Sequence, residues 1–465
     1  MSIIGTSDSG VAEGRGLTGA RIAVAAAFFA QGFVFISLTT RLPAFLERWG
    51  LDEVTLSLLL LMMILLAGVG SLVTEWVVRH SGSAVMLRLG LWLMVLAVPA
   101  LTLAPAVGVF VGGIAVYGLA LGLVDATTNM QAVDLEHRYG RPILPSSHGY
   151  WTTGGILAAV VALATGHLSP TIGVFVAVVP LVIAFAPYLP RVARESRGVP
   201  GMPYGGASLT RPVVNPVVTT PSGLGTTATG SGAGTVGAGT SAAGPIPWGP
   251  IWLVGIGLVV FYMADTAAAA WGPVLLALDL GAPSNLVALA SLPYLVASML
   301  VRLAGGALVT RFGVVVLLRV GAVVAFGALA LVALAPSWPV AVAGFAILGG
   351  SIALVAPLSF SAAGRIAALS ATGPAAGSAS GSTEPDRART DTVIARFNQF
   401  NYLGALLGAV LTGFVGAFSL RAGFFLSAVL VLALIPLAPA FARGTLRRPE
   451  SEPVTGPGDE PVSRQ

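Results

Sequence analysis

Long apolar runs separated by short polar segments dominate this chain. Twelve of the runs come close to the roughly 20 residues a helix needs to cross a bilayer. Six fall before Arg191, at about 20–43, 54–76, 85–103, 106–128, 148–166 and 171–189. Six follow, at about 250–275, 285–304, 314–335, 338–361, 394–418 and 421–441. A span in lipid must bond its own backbone groups, so the runs are predicted to be helices. The alternating strands of a membrane barrel are not found.

The polar segments divide the chain. Residues 1–19 read as a cytoplasmic tail, and the run that follows is long enough to be an uncleaved first helix. Residues 192–247 are rich in Pro, Gly, Ser and Thr and are predicted to be a disordered cytoplasmic linker. Residues 367–389 form a second low-complexity stretch, and 444–465 a tail. Two six-helix units are therefore expected, at 20–191 and 248–443.

Composition agrees with lipid as the solvent. Hydrophobic residues make up 55% of the 465 and charged residues 9%, against about a quarter charged in a soluble domain. There is no cysteine, which excludes a thiolate metal site or a cysteine nucleophile. All 24 basic residues are arginine, so no phosphate loop ending in Gly-Lys can exist. The four histidines, at 80, 137, 148 and 167, form no cluster. No metal or other cofactor, and no enzyme activity, is expected. The net charge of +5 comes from arginines scattered singly, which argues against a nucleic-acid partner.

Those arginines orient the chain. With both termini in the cytoplasm, 21 arginines fall inside, Arg302 counted among them. Only Arg41, Arg48 and Arg421 fall outside. This bias predicts a multi-pass inner-membrane protein.

The two units also match each other at a fixed spacing. Gly50 and Gly281, Gly82 and Gly313, and Arg88 and Arg319 each differ by 231 positions. Leu103-Ala104-Pro105 and Leu334-Ala335-Pro336 keep the same offset. Gly154 with Gly404 and Gly166 with Gly416 differ by 250, and the extra 19 falls in the second low-complexity stretch. A register held through helix ends, an arginine and a proline indicates an internal repeat.

Two six-helix repeats joined by a cytoplasmic linker resemble the major facilitator superfamily, in which the substrate site lies near mid-membrane between the halves. Gly306-Ala307-Leu308-Val309-Thr310-Arg311-Phe312-Gly313 is similar to that superfamily's signature loop, with Gly306, Leu308, Arg311 and Gly313 matching. Thr310 replaces the usual acid and Val314 the last arginine. The competing reading of Arg311 is a topology-setting charge. Arg41-Leu42-Pro43, Asp125 to Ala132, Gly140 to Pro145 and His148-Gly149 resemble the fucose-permease-like branch and its YbjJ-type bacterial subgroup. Asp265 to Trp271 is also similar, although Ala270 stands where that subgroup often has an acid. The resemblance implies an all-α membrane protein of 12 helices in two pseudo-symmetric bundles, monomeric, moving a small-molecule substrate through the lipid bilayer. It also implies proton coupling at Asp125. The first-helix acid of fucose permease is replaced here by Thr39.

Polar side chains inside the spans are the site candidates, because an ionised group at membrane centre costs about 2.5–3.5 kcal/mol on insertion scales. Asp125 has Asn129 one helical turn away on the same face. Asp265 precedes four alanines and Trp271, which suits a polar ligand with an apolar face. Asp125 and Asp265 are the proton-carrying candidates; a structural acid bonded between helices is the competing reading. Gln31, the only amide in its run, is expected to face a cavity. His148, Tyr150 and Trp151 open the fifth span; Asn398, Gln399, Asn401 and Tyr402 open the eleventh. Amides beside aromatics suit sugar recognition, and a place at the cytoplasmic interface is the alternative, preferred for His148. Arg41 reads as an outer gate or a snorkelling arginine. Asp134, Glu136, His137 and Arg138 read as a solvated loop. The expectation is a secondary transporter of a small polar solute; the alternatives are an efflux pump, or a sensor or enzyme without transport.

Overall fold

The structure is a computed structural model describing residues 7–139, 144–189, 246–369, 393, 397 and 399–442. All their regular elements are helical. The first half comprises α1 (Ser7–Thr39), α2 (Leu42–Trp49), α3 (Glu53–Ser81), α4 (Ser83–Thr102), α5 (Val107–Tyr139), α6 (Leu144–Thr165) and α7 (Pro170–Ile183). The second comprises α8 (Trp248–Asp279), α9 (Val287–Phe312), α10 (Val314–Ala333), α11 (Trp338–Ile366), α12 (Gln399–Gly416) and α13 (Leu420–Val431 with Leu434–Phe441). Among the described residues nine helices are long and apolar enough to cross a membrane, and the bent pair of α13 makes a tenth. The predicted spans at 148–166 and 171–189 correspond to α6 and to α7, a shorter apolar helix.

Several boundaries moved for local reasons. The first predicted span ran to 43, but α1 stops at Thr39, and Pro43 opens the separate short helix α2. At its N-terminal side α1 is helical from Ser7, within the segment read as a tail. The predicted loop at 134–138 is helical, the last turns of α5. Two π-type turns, at Ala267–Trp271 and Leu275–Asp279, interrupt α8. The linker up to residue 245, residues 370–389 and the tail 444–465 lie outside the described residues. All the helices belong to one compact unit, Met1–Arg191 with Gly244–Gln465.

The repeat is visible in the backbone. Among the described residues the glycines with positive φ are Gly50 (60°), Gly82 (84°), Gly281 (62°) and Gly313 (75°). They form two pairs, 281 − 50 and 313 − 82, both 231. Gly50 closes α2 in the left-handed conformation, and Gly82 and Gly313 each turn the chain into the next helix. A side chain is disfavoured in these conformations.

Helix packing repeats as well. In the first half α1 packs on α6, and α5 packs on α3 and α4; in the second α8 packs on α12, and α11 packs on α9 and α10. The close approaches fall at equivalent glycines. A Cβ on Gly118 would meet the Met63 carbonyl, and one on Gly349 the Tyr294 carbonyl, both 231 apart. Without strong hydrophobic drive in lipid, such small residues let helix backbones touch. Arg88 and Arg319 repeat a brace: Arg88 donates to the Ala186 carbonyl at 3.2 Å and Arg319 to that of Ile435 at 3.4 Å. The halves meet chiefly along α3 with α12 and α6 with α9, and α1 and α2 also touch α8.

Candidate functional site

A cavity of about 1480 Å³ lies between the halves. Its lining extends from Thr39 and Leu60 to Ser83, Asp134, Ser146, Val309 and Gln399. The last group lies near helix ends on one side of the protein, where the cavity opens. At the opposite end the halves touch. Gly413 of α12 stands against Ser57 of α3, and Gly166 after α6 stands against Ser284 and Asn285 of the second half. A small residue at each place lets the two halves close.

Asp125 lies on α5, half-buried in the cavity wall. Gln31 on α1 donates to its Oδ1 at 3.2 Å, and Tyr402 on α12 donates to its Oδ2 at 2.8 Å. The Gln31 bond is within one half; the Tyr402 bond crosses to the other. Gln31 is 5% exposed, and its Oε1 has no partner. A buried acceptor left unpaired costs about 1–3 kcal/mol, so this oxygen is ready for a donor. Thr128 and Asn129 both donate to the Asp125 backbone carbonyl, at 3.1 and 2.8 Å. Asn129 therefore lines the cavity with its amide turned to its own helix.

Asp265 lies on α8, also in the wall, and accepts a hydrogen bond from the Tyr294 hydroxyl of α9. Both belong to the second half. Tyr262, one turn before Asp265, lines the same wall.

Of the other candidates, Trp151, Asn401, Tyr402 and Gly306 also line the cavity. Trp151 stands 6.2 Å from Phe35, ring centre to ring centre. Trp271 lies outside the lining: it is fully buried, and its indole donates to the Ala409 carbonyl at 3.0 Å. It packs the joint between α8 and α12. Asn398 lies outside the described residues. Arg41 is held at the closed end, donating to the Ser37 carbonyl at 3.0 Å and to Thr165 at 3.4 Å. Burial there lowers its pKa below the usual arginine value. Arg311 and Gly313 are exposed at the end of α9. Gln131, part of the Asp125 to Ala132 motif, is a brace: it bonds Ser83 and both backbone groups of Leu189.

Besides Trp271, two residues lie elsewhere than the sequence reading preferred. For His148 the interface was the preferred of two readings, yet it lines the cavity, edge-on to Phe28 at 5.1 Å. Arg302 was counted with the cytoplasmic arginines, yet it lies inside α9 and lines the cavity. Its Nε donates to the Ala353 carbonyl at 3.1 Å and its Nη1 to Thr152 of α6 at 3.2 Å. The available signal was its position, two residues before the end of the predicted span 285–304.

No family profile matches the chain. It is 25% identical over 344 residues to the uncharacterized transporter y4wD of Sinorhizobium fredii, covering 73% of this chain and 81% of that one. It is 24% identical over 427 residues to an uncharacterized MFS-type transporter of Yersinia pestis, covering 90% and 94%. The crystal structure of the nucleoside transporter NupG is similar in fold, with a TM-score of 0.60 and 13% identity over 91% of this chain and 99% of that one. So is that of the Escherichia coli fucose:proton symporter FucP (N162A), with a TM-score of 0.53 and 13% identity over 90% and 98%. The chain thus shares its fold with these solved transporters and is similar along most of its length to two curated transporters, one of them named as MFS-type.

Proposed function

We propose that this protein is a secondary transporter, not an enzyme, that carries a small polar solute by alternating access and couples it to protons through Asp125. One observation carries the proposal: a carboxylate in a cavity between two repeats is bonded from both of them, by Gln31 and Tyr402. A proton on that carboxylate changes what it can accept, and so changes a link between the halves. Rocking of the halves about the closed end would then move the opening to the other side. The arginine bias supports an inner-membrane orientation with both termini in the cytoplasm, and the cavity's open end is then cytoplasmic. A monomer suffices, because one chain builds the whole cavity.

Efflux of apolar or aromatic compounds is the second reading. It is favoured by the aromatic walls, which include Phe28, Phe35, Trp151, Phe261 and Phe360 from both halves. Purified protein in proteoliposomes, offered a solute panel with and without an imposed pH gradient, separates the two. Inward accumulation driven by external acid supports proton-coupled uptake. Gradient-driven extrusion supports efflux, and no flux of any solute by folded protein rejects transport.

A further inference from the structure

Arg302 is the one arginine in the cavity lining among the described residues. It stands ten residues before Phe312 on α9, hence roughly 15 Å from that end of the helix. Both acceptors that hold it, the Ala353 carbonyl and the Thr152 hydroxyl, are uncharged. They orient the guanidinium without neutralising it. Two of its five N–H donors are used, and three remain. Among the described residues it has no carboxylate partner within 4.0 Å. Asp265 accepts from Tyr294, and Asp125 from Gln31 and Tyr402. A charge at membrane depth without a close counter-ion is costly. The planar fork is well matched to carboxylate or phosphate oxygens, which it binds in pairs.

We propose that Arg302 is the anchor for an anionic group on the transported solute, and that the solute is an organic anion with an apolar body. The charge meets the oriented guanidinium, while the body lies against Trp151, Phe35, Tyr262 and Phe360. The bond to Thr152 crosses from α9 to α6, so both halves position the anchor. This assignment of substrate class rests on the transport reading above.

A matched set of probes tests it: benzoate, phenyl phosphate, benzyl alcohol and benzylammonium share one ring and differ in charge. Calorimetric titration of the purified full chain is expected to show at least one anion binding about tenfold or more tighter than the alcohol and the amine. Arg302→Gln removes that preference, and Arg302→Lys restores part of it. A readout in the unaltered protein guards against misfolded variants: phenylglyoxal modification of Arg302, mapped by peptide mass spectrometry, is slowed by the bound anion and not by benzyl alcohol. Equal binding of all four probes, a preference for the amine or alcohol, or an anion preference retained in Arg302→Gln overturns the proposal. So does modification of Arg302 that is indifferent to the anions. Anion binding without flux would count against the transport reading alone; flux of neutral solutes without anion preference would count against Arg302 alone.

Discussion

Asp125 and Asp265 face one cavity from opposite halves, yet their bonds extend differently. Asp265 accepts from Tyr294, a residue of its own half. Asp125 accepts from Gln31 in its own half and from Tyr402 in the other. The scaffold around them repeats closely, in the positive-φ glycines 231 positions apart, the glycine close approaches and the paired arginine braces. The polar interior does not repeat. The position 231 after Asp125 is Ala356, and the one 231 before Asp265 is Val34. The repeat thus supplies a matched frame, and in the transport cycle proposed above the departures from it would supply the chemistry. Asp125, bonded across the divide, is for that reason the acid to which the proposal assigns the coupling.

The strongest test of the shared scaffold is steric. Gly118→Val and Gly349→Val each push a side chain into a helix carbonyl, at Met63 and at Tyr294. Overpacking there is expected to cost each about 3 kcal/mol, read as loss of folded protein in thermal unfolding. Gly68→Val, where a Cβ meets nothing within 4 Å, is the control and should fall well below both. A tolerated Gly349→Val beside a damaging Gly118→Val would show that the halves do not pack alike.

The polar difference gives the next effect. Tyr402→Phe removes the bond across the halves, and Tyr294→Phe removes one within a half. A hydrogen bond to a charged group is worth about 1.5–3 kcal/mol. Tyr402→Phe should lower gradient-driven accumulation about tenfold, and Tyr294→Phe much less. Equal losses in flux assays would erase the distinction drawn between the two acids.

Backbone turns come third. Gly82→Ala and Gly313→Ala place a Cβ at φ of 84° and 75°, each at an expected cost of about 1–2 kcal/mol. Matching shifts in unfolding temperature would support the repeat. The smallest effect concerns Asp52, whose side chain accepts from the Thr55 N–H at 2.8 Å and caps α3. That bond holds its pKa below the usual carboxylate value. A depressed pKa stabilises the fold above the unfolded pKa, and the contribution is lost as pH falls through the folded one. Asp52→Ala should therefore melt slightly earlier at neutral pH and converge with the unaltered protein in acid. The equivalent position is Pro283, so no matching cap exists in the second half.

Much of this fold was legible because lipid imposes length and the repeat imposes register. Apolar runs located the helices, and the glycine pairs matched at the 231 offset are the ones that take positive φ in the structure. Helix ends were less legible. Pro43 starts a new helix after a break, which an apolar run cannot reveal. Within the cavity, Asp125, Gln31 and Trp151 stood out as polar or aromatic residues in apolar runs. Arg302 did not, because an arginine near a span end also satisfies the rule for cytoplasmic charge. Trp271 stood out because it follows Asp265 and four alanines, a pattern that suits a ligand wall, but its indole bonds the neighbouring helix. The bond from Tyr402 to Asp125 joins residues 277 positions apart, and no local pattern encodes it.

Solute-driven proton uptake in proteoliposomes tests the central claim most directly, measured with a trapped pH dye for the unaltered protein, Asp125→Asn and Asp265→Asn. The expected result is uptake in the unaltered protein and none in Asp125→Asn, with solute exchange retained in that variant. Proton uptake that persists in Asp125→Asn, or that is lost only in Asp265→Asn, would contradict the account.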